Sequence, residues 1–322
     1  MIALIQYNFK GDGFFCHPIL SDGPPVDAAA GVGYNGLDHP RRDAEANMDR
    51  LQEKYERLKA DLRALGGAAV AFSGGVDSSF LLRAALDALG AERVLAVTAA
   101  GRVFPRREGE DAAALCRALG VRQAVVPFDN LAVEGFAANP ANRCYLCKRA
   151  LLGKLIEVAR AAGFETVVEG SNADDEGDYR PGMRAVAELG ALSPLRAAGL
   201  EKAEIRTLSR ALGLPTWDKP SCACLASRIA YGEAITAEKL ARVERAERRL
   251  AELGFRQLRV RVHGNLARVE LPPEDMPRLL DPALRAEIGA FLLGLGFDYA
   301  ALDLAGYRTG SMNLGLKDKA EL

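Results

Sequence analysis

The chain has 322 residues, of which 49% are hydrophobic and 26% charged, the balance of a soluble globular protein with a buried core. Its formal net charge of −1 argues against overall electrostatic attraction to nucleic acid, so we predict no nucleic-acid partner. No apolar stretch reaches the length of a membrane span, and the first 15 residues lack a secretory signal pattern. We therefore predict no membrane association and a cytoplasmic location.

Residues 1–47 contain glycine, proline and aspartate without helical periodicity, and we predict a poorly ordered extension there. An amphipathic helix is predicted at 48–65, where apolar residues recur at helical spacing. Strands and helices then alternate, which predicts an α/β fold with a parallel sheet and helices on both faces. The predicted strands are 68–72, 93–98, 123–128 and 166–169, and the predicted helices are 79–89, 107–119 and 144–162.

Beyond residue 235 the order of elements changes to helix, strand, strand, helix, strand, which predicts a smaller α+β domain. The predicted helices are 237–253 and 282–293, and the predicted strands are 257–263, 267–271 and 299–304. The first two strands form a hairpin around Gly264-Asn265. We therefore divide the chain into an extension at 1–47, an α/β domain at 48–235 and an α+β domain at 236–322.

A glycine-rich turn joins the first predicted strand to the next helix. Its glycines allow the backbone to approach phosphate oxygens, and the helix N-terminus offers N–H donors and a positive dipole. Asp77 beside a phosphate is expected to bind Mg²⁺ or to fix the loop. The turn lacks both the Gly-Lys-Ser/Thr of a Walker A loop and the third glycine of a dinucleotide-binding turn. The candidate phosphate-binding residues are Ser73, Gly74, Gly75, Asp77, Ser78 and Ser79.

Four of the six cysteines form two close pairs, Cys144 with Cys147 and Cys222 with Cys224. In a reducing cytoplasm such spacing favours metal binding or catalysis over disulfides. A single Cys-x-x-Cys also occurs in zinc and redox sites. Together the pairs allow three or four thiolates without histidine, which favours an iron–sulfur cluster or zinc. Ordinary buried cysteines are the alternative for this set.

Acidic residues follow the fourth predicted strand, at the edge of a parallel sheet where ligands bind. Asp174, Asp175 and Asp178 are candidate Mg²⁺ ligands, and a solvated acidic loop is the alternative. Arg180, within the same stretch, is a candidate to face a phosphate or carboxylate.

Two arginines alternate with valines in the predicted strand at 257–263. Because side chains alternate between the faces of a strand, Arg259 and Arg261 share one face. Paired guanidinium groups suit a phosphate or carboxylate clamp. A solvated strand face is the alternative.

Taken together, these segments resemble the LarE family of ATP-dependent sulfur transferases, within the PP-loop ATP pyrophosphatases. The resemblance runs from about residue 48 to 313, and the extension at 1–47 lies outside it. The phosphate loop alone is similar to the whole class, which includes GMP, NAD and asparagine synthetases and tRNA thiolation enzymes. The specific segments are Asp-Tyr-Arg-Pro-Gly at 178–182, Cys-Leu-Ala-Ser-Arg at 224–228, Arg-Val-Arg-Val-His at 259–263 and the stretch 307–313.

The resemblance implies a PP-loop domain followed by a smaller domain for substrate binding and homo-oligomer formation. It implies that ATP and Mg²⁺ adenylate the carboxylates of pyridinium-3,5-biscarboxylic acid mononucleotide, with release of pyrophosphate. A sulfur nucleophile, supplied by a sulfide or cysteine-derived donor, then displaces AMP and leaves a thiocarboxylate. The product serves nickel-pincer nucleotide biosynthesis, the cofactor of lactate racemase-type enzymes.

The cysteines resemble one of two versions of the family. One version gives up the sulfur of its own cysteine, and the other holds a [4Fe-4S] cluster on three cysteines and relays sulfide through it. Cys144, Cys147 and Cys224 resemble the cluster version, with Cys222 as the alternative third ligand. The resemblance further implies active-site roles for Lys148, Cys224, Ser227 and Arg228, and binding of the mononucleotide phosphate by Arg259 and Arg261 near Glu270. From the residues themselves, we predict cofactor binding by Arg180 and Mg²⁺ binding by Asp77, Asp175 and Asp178.

Other functions predict different features. A tRNA thiolation enzyme also pairs a Cys-x-x-Cys with a later cysteine, but it requires a basic surface or an RNA-binding module. An NAD synthetase-like, amide-forming ligase leaves the cysteines without a role. A metal-binding structural protein without catalysis does not explain the intact phosphate loop.

Overall fold

The computed structural model describes residues 39–177, 181–308 and 310–312, with the backbone alone at 39–45, 176, 177 and 181. Residues 1–38 of the predicted extension, and the candidate residues Asp178 and Arg180, lie outside this part of the chain. All contacts discussed below fall within the compact unit Asn47–Leu322. Within the described ranges, no helix combines the length and apolar character that a bilayer crossing requires.

The first layer is a parallel sheet in the order β3-β2-β1-β4, which confirms the predicted α/β fold. Its strands are β1 (Ala68–Ala71), β2 (Val94–Ala100), β3 (Arg122–Pro127) and β4 (Val167–Val168). The predicted helices are present as α1 (His39–Ala64), α2 (Val76–Leu89), α3 (Arg106–Leu119) and α4 (Arg143–Ala161). Helix α1 begins before the predicted start at residue 48.

Three helices between β4 and residue 212 are absent from the prediction. They are α5 (Pro181–Leu189), α6 (Pro194–Ala197) and α7 (Lys202–Ala211). Helix α7 begins with a capping box, in which Glu201 and Glu204 exchange side-chain and backbone hydrogen bonds. The three helices have 9, 4 and 10 residues, shorter than most of the helices that the sequence predicts.

The strand order determines where the loops meet. The chain runs from β1 to β2 and β3 on one side of the sheet, and later returns to β4 on the other side of β1. Such a reversal opens a crevice at the carboxyl ends of the two adjacent strands, where ligands bind in α/β proteins. The glycine-rich turn follows β1 and the acidic segment follows β4, so both border this crevice.

The C-terminal layer has the predicted order of helix, strand, strand, helix, strand. It contains α8 (Ala237–Glu252), β5 (Arg259–His263), β6 (Leu266–Glu270), α9 (Pro282–Gly294) and β7 (Tyr299–Leu302). Strands β5 and β6 form the predicted antiparallel hairpin, and β7 pairs with β6 in parallel.

The apolar core of this C-terminal layer also contains residues from the preceding part of the chain. Val103, Phe136, Leu225 and Ile229 are buried in it, and Ile229 pairs with Val262 of β5. The segment around residue 225 therefore packs against the C-terminal sheet. The domain boundary after residue 235 stays a prediction.

Candidate functional site

The turn after β1 requires glycine at its centre. Gly74 has a left-handed φ of +73°, and a Cβ atom there would lie 3.1 Å from the Cβ of Ala112 and 3.3 Å from the carbonyl oxygen of Glu108. Gly75 is the N-cap of α2 and provides no side-chain cap to its first amides. Because these N–H groups lack an intrahelical partner, the turn is suited to bind an anion.

Serine hydroxyls hold the phosphate loop (residues 73–78) in shape. The Ser73 and Ser78 hydroxyl oxygens lie 3.1 Å apart, and Ser78 donates to the Gly75 carbonyl at 3.2 Å. Ser79 is fully buried on the first turn of α2, and its backbone N–H donates to the Gly75 carbonyl at 2.9 Å. Ser73 is exposed, so its hydroxyl is accessible at the mouth of the loop.

The loop after β4 packs directly against the phosphate loop. A Cβ atom at Gly170 would lie 3.1 Å from the Ser78 amide nitrogen, so glycine permits this approach. The Asp77 carboxylate accepts from the side-chain amide nitrogen of Asn172 at 3.3 Å. It also forms an ion pair with Lys202, the first residue of α7. The two loops therefore form one continuous surface at the crevice.

Two lysines at this surface were missed by the sequence analysis. Lys202 pairs with Asp77, and the Lys219 ammonium donates to the Gly74 carbonyl at 3.2 Å. Lys219 also forms ion pairs with Glu108 at 3.0 Å and Asp111 at 3.1 Å. Both cations lie where phosphate charge would be bound, and each is neutralised by a carboxylate of the protein.

The acidic residues of the β4 loop serve as hydrogen-bond acceptors. Asp175 is buried, and its carboxylate accepts from the backbone N–H of Asn172 at 3.0 Å. The Asp174 carboxylate accepts from the backbone N–H of Lys202 at 2.9 Å. No group of three or more histidine, cysteine or acidic side chains in the described ranges is arranged to hold a metal ion. The Mg²⁺-binding roles of Asp77 and Asp175 therefore stay predictions.

A buried carboxylate connects this crevice to the cysteine-bearing helix. Glu169, at the end of β4, accepts from the Lys148 ammonium at 3.0 Å and from the Ser193 hydroxyl at 2.6 Å. Burial alone would raise the pKa of the Glu169 carboxyl, but Lys148 and Ser193 outweigh burial and lower that pKa. Lys148 follows Cys147 on α4, so the ion pair fixes this turn of the helix beside the nucleotide crevice.

The lowered Glu169 pKa predicts a pH dependence of stability. Because the folded pKa is below the unfolded one, the stabilisation is complete above the ordinary glutamate pKa of about 4.3 and is lost as pH falls through the folded value. We expect Glu169→Gln to lower the free energy of unfolding by about 1–3 kcal/mol at pH 7. In urea unfolding experiments, the difference in the free energy of unfolding between wild type and Glu169→Gln should become smaller at acid pH. Glu165→Gln, at an exposed position, is the control, and a gap independent of pH would contradict the assignment.

Three cysteines influence one another. Burial, followed by the charge of Cys224, raises the pKa of Cys144 and raises the pKa of Cys147 to about 12. Cys147 also accepts a hydrogen bond from Asn130 at 3.1 Å. For Cys222, burial and then the charge of Glu108 raise the pKa. Cys147 and Cys224 both pack against the apolar core of the C-terminal layer, and the choice of Cys224 over Cys222 as the third ligand stays a prediction.

The loop that holds Cys224 is fixed by a buried arginine. The Arg228 guanidinium is fully buried and binds both carboxylate oxygens of Glu247 on α8, at 2.8 and 3.0 Å. It also donates to the carbonyls of Ala223 and Cys224, at 2.7 and 3.1 Å. The Ser227 hydroxyl donates to the Cys224 carbonyl at 2.7 Å. Arg228 thus supports the loop that holds Cys224, and its predicted active-site role stays a prediction.

The two arginines of β5 are buried but differ in their partners. Arg261 is paired with the buried Glu270 at 2.9 Å. Arg259 donates to the carbonyls of Leu258 and Ser221, and lies 5.2 Å from the ring centroid of Tyr307. Among the residues that the structure describes, Arg259 forms no ion pair, and burial lowers its pKa. An unpaired buried cation is costly, so Arg259 is the better candidate to receive an anion.

Comparisons with known proteins show which family the chain belongs to. Residues 50–143 match the NAD synthase family. An uncharacterized protein of Synechocystis sp. is 43% identical over 82% of this chain and 98% of its own length. Pyridinium-3,5-bisthiocarboxylic acid mononucleotide synthase of Lactiplantibacillus plantarum is 37% identical over 83% of this chain and 96% of its own.

A third relative matches a smaller part of the chain. The NH₃-dependent NAD⁺ synthetase of Aeropyrum pernix is 34% identical over 36% of this chain and 37% of its own length. The nucleotide-binding architecture is thus shared with NAD synthetases, whereas the likeness to the pyridinium mononucleotide synthase extends across most of both chains. The chain therefore belongs to the LarE family of pyridinium-3,5-bisthiocarboxylic acid mononucleotide synthases, within the PP-loop enzymes.

Proposed function

We propose that this chain is an ATP-dependent sulfur transferase that converts the carboxylates of pyridinium-3,5-biscarboxylic acid mononucleotide into thiocarboxylates. The observation that carries the proposal is that α4, which bears two of the cysteines, contacts the loop after β4, and that this loop packs on the phosphate loop. Glu169 binds Lys148, which is adjacent to Cys147, and the following Gly170 packs on Ser78 of the phosphate loop. This chain of contacts supports a placement of the α4 cysteines near the nucleotide crevice, as a reaction that activates and then sulfurates one carboxylate requires.

In the first half of the reaction, a carboxylate oxygen of the substrate attacks the α-phosphorus of ATP. The bond to the β-phosphate oxygen breaks, pyrophosphate leaves, and an acyl adenylate remains. The free amides of α2 and the ammonium groups of Lys202 and Lys219 are placed to stabilise phosphate charge. We propose that Asp77 exchanges its contact with Lys202 for Mg²⁺ when the nucleotide binds.

In the second half, a sulfur nucleophile attacks the carbonyl carbon of the acyl adenylate. The carbon–oxygen bond to AMP breaks, AMP leaves with the bonding electrons, and a thiocarboxylate remains. We assign binding of the mononucleotide phosphate to Arg259, since it is buried without an acidic partner in the described ranges. Arg261 supports the same strand through its pair with Glu270.

We propose that Cys144, Cys147 and Cys224 would hold a [4Fe-4S] cluster as thiolate ligands, since three soft sulfur ligands suit such a cluster. In the described residues the three thiols are not grouped as a metal site, and two of them, Cys147 and Cys224, pack beside the apolar core of the C-terminal layer. The amide N–H that Asn130 directs at Cys147 would stabilise a sulfur that carries negative charge. When bound, such a cluster would supply sulfide at an iron that lacks a cysteine ligand. The alternative, in which Cys224 gives up its own sulfur, would lower the mass of the protein after turnover.

Several features of the proposal rest on family resemblance alone. These are the homo-oligomer, the sulfide or cysteine-derived sulfur donor and the Mg²⁺ ion. A cytoplasmic location is kept as a prediction, because the proposed thiolates require a reducing compartment.

The proposal is tested with protein purified and reconstituted without oxygen. We expect iron and sulfide to be retained, and ATP, Mg²⁺ and the pyridinium dicarboxylate mononucleotide to yield pyrophosphate, AMP and a thiocarboxylate detected by mass spectrometry. We expect Arg259→Gln to raise KM for the mononucleotide about 10- to 100-fold without changing KM for ATP, because a hydrogen-bonded charge is lost. Arg256→Gln, an exposed arginine nearby, is the matched control. Absence of pyrophosphate from wild type would refute the substrate assignment.

A further inference from the structure

Asn139 adopts a backbone conformation that is unusual for its residue type. Its φ is +58°, and among the described residues all others with positive φ are glycines. The side chain is fully buried. Asparagine tolerates this region better than most residues, yet a buried position of this kind persists only where the surroundings hold it in place.

The Asn139 side chain uses both of its polar atoms. Its amide nitrogen donates to the carbonyl of Ala230 at 2.7 Å and to that of Ile229 at 3.3 Å. Its amide oxygen accepts from the Arg143 guanidinium at 2.5 Å, and that guanidinium lies 3.9 Å from the ring centroid of Tyr231. We call these five residues the Asn139 clasp.

The clasp joins the two segments that carry the interacting cysteines. Arg143 begins α4 and immediately precedes Cys144. Ile229 follows the loop that holds Cys224. A backbone hydrogen bond of 3.2 Å from Gly232 to the Asn139 carbonyl reinforces the junction. A shift at Asn139 would therefore change the separation of Cys224 from the α4 pair.

We propose that Asn139 is a positioning residue that sets the distance between Cys224 and the α4 cysteines. The inference rests on the proposed function in so far as these cysteines act together in sulfur transfer. Asparagine suits the position because it offers two N–H donors, one acceptor and tolerance of positive φ. Glycine would keep the backbone but lose the side chain, and aspartate would keep the acceptor but lose both donors.

The test measures proximity of the thiols directly. In a full-length chain where only Cys147 and Cys224 remain as cysteines, dibromobimane fluoresces when its two arms react with both thiols. We expect Asn139→Gly to lower the fluorescent cross-link yield severalfold. In the chain with native cysteines, we expect the same variant to lower thiocarboxylate formation about 100-fold, the scale expected for a misplacement of about 1 Å. The affinity for ATP should stay unchanged.

Asn142→Gly is the matched control, because Asn142 is exposed and makes no side-chain cap on α4. It should leave both the cross-link yield and thiocarboxylate formation at wild-type levels. A wild-type cross-link yield in Asn139→Gly would overturn the proposal, and so would a parallel loss of ATP affinity, which would indicate general support of the fold. If Asn139→Gly does not fold, Asn139→Asp takes its place in the cross-linking experiment. A lowered cross-link yield in Asn139→Asp would support the proposal, and a wild-type yield would overturn it.

The two proposals can fail separately. Cross-linking uses neither the pyridinium substrate nor iron, so it reports on the Asn139 clasp alone. If wild type forms no pyrophosphate from the mononucleotide, the proposed function fails, while the cross-link comparison keeps its meaning.

Discussion

Cys224→Ser should stop thiocarboxylate formation while pyrophosphate is still released. Cys224 packs beside the same apolar core as Cys147 of α4, whereas the phosphate loop is built from other residues. Loss of a residue on which sulfur transfer depends, as a cluster ligand or as the sulfur donor, is expected to lower product formation by about 10³-fold or more. Single-turnover reactions, with pyrophosphate and thiocarboxylate measured in the same samples, would separate the two halves of the reaction.

Cys222→Ser is the matched control for this experiment. Cys222 is two residues away but, unlike Cys224, does not pack against the apolar core of the C-terminal layer. It should keep wild-type iron content and product yield. If Cys222→Ser loses iron and thiocarboxylate formation while Cys224→Ser retains them, Cys222 is the third partner and our assignment is wrong.

Asp77→Asn should abolish adenylation and leave the iron content intact. Its carboxylate pairs with Lys202 and accepts from Asn172, so it sits between the phosphate loop and the β4 loop. Removal of one electrostatic group from such a site is expected to slow the reaction about 10²- to 10³-fold. The measurement is the rate of pyrophosphate release at saturating ATP, together with an iron assay on the same preparation.

An aspartate elsewhere on the surface provides the comparison for Asp77. Asp61→Asn changes an exposed residue of α1 and should affect neither measurement. Joint loss of iron and adenylation in Asp77→Asn would instead indicate that Asp77 supports the fold. Normal adenylation in that variant would exclude a role for the carboxylate in Mg²⁺ binding.

Local patterns were sufficient to predict much of the fold. Strands β1, β2 and β4 are apolar runs followed within three residues by glycine, and the β5–β6 hairpin alternates around Gly264-Asn265, so these elements were visible within a few residues. The phosphate loop was equally local, because its glycines, serines and aspartate are nearly consecutive. The three helices after β4 were missed because each is short, with 9, 4 and 10 residues.

Partners that are distant in sequence could not be predicted. Lys202 is 125 residues from Asp77, and no local pattern distinguishes it from a solvated lysine. Alternation correctly placed Arg259 and Arg261 on one face of β5, but it could not reveal that Glu270 pairs with Arg261 and with Arg268 rather than with Arg259. Burial of Arg228 against Glu247 was hidden for the same reason, since a motif identifies a residue without identifying its environment.

The shared core of the C-terminal layer has a consequence for the order in which the protein is completed during synthesis. Leu225 and Ile229, which flank the end of the Cys224 loop, pack with β5 and its neighbours. A nascent chain that has just released residue 235 can already close its phosphate loop, whose contacts are made by earlier residues. The segment that holds Cys224 lacks two of its partners, Glu247 of α8 and Val262 of β5, until those later elements have been synthesised. The contacts of the phosphate loop can thus be completed earlier in synthesis than those of the Cys224 segment.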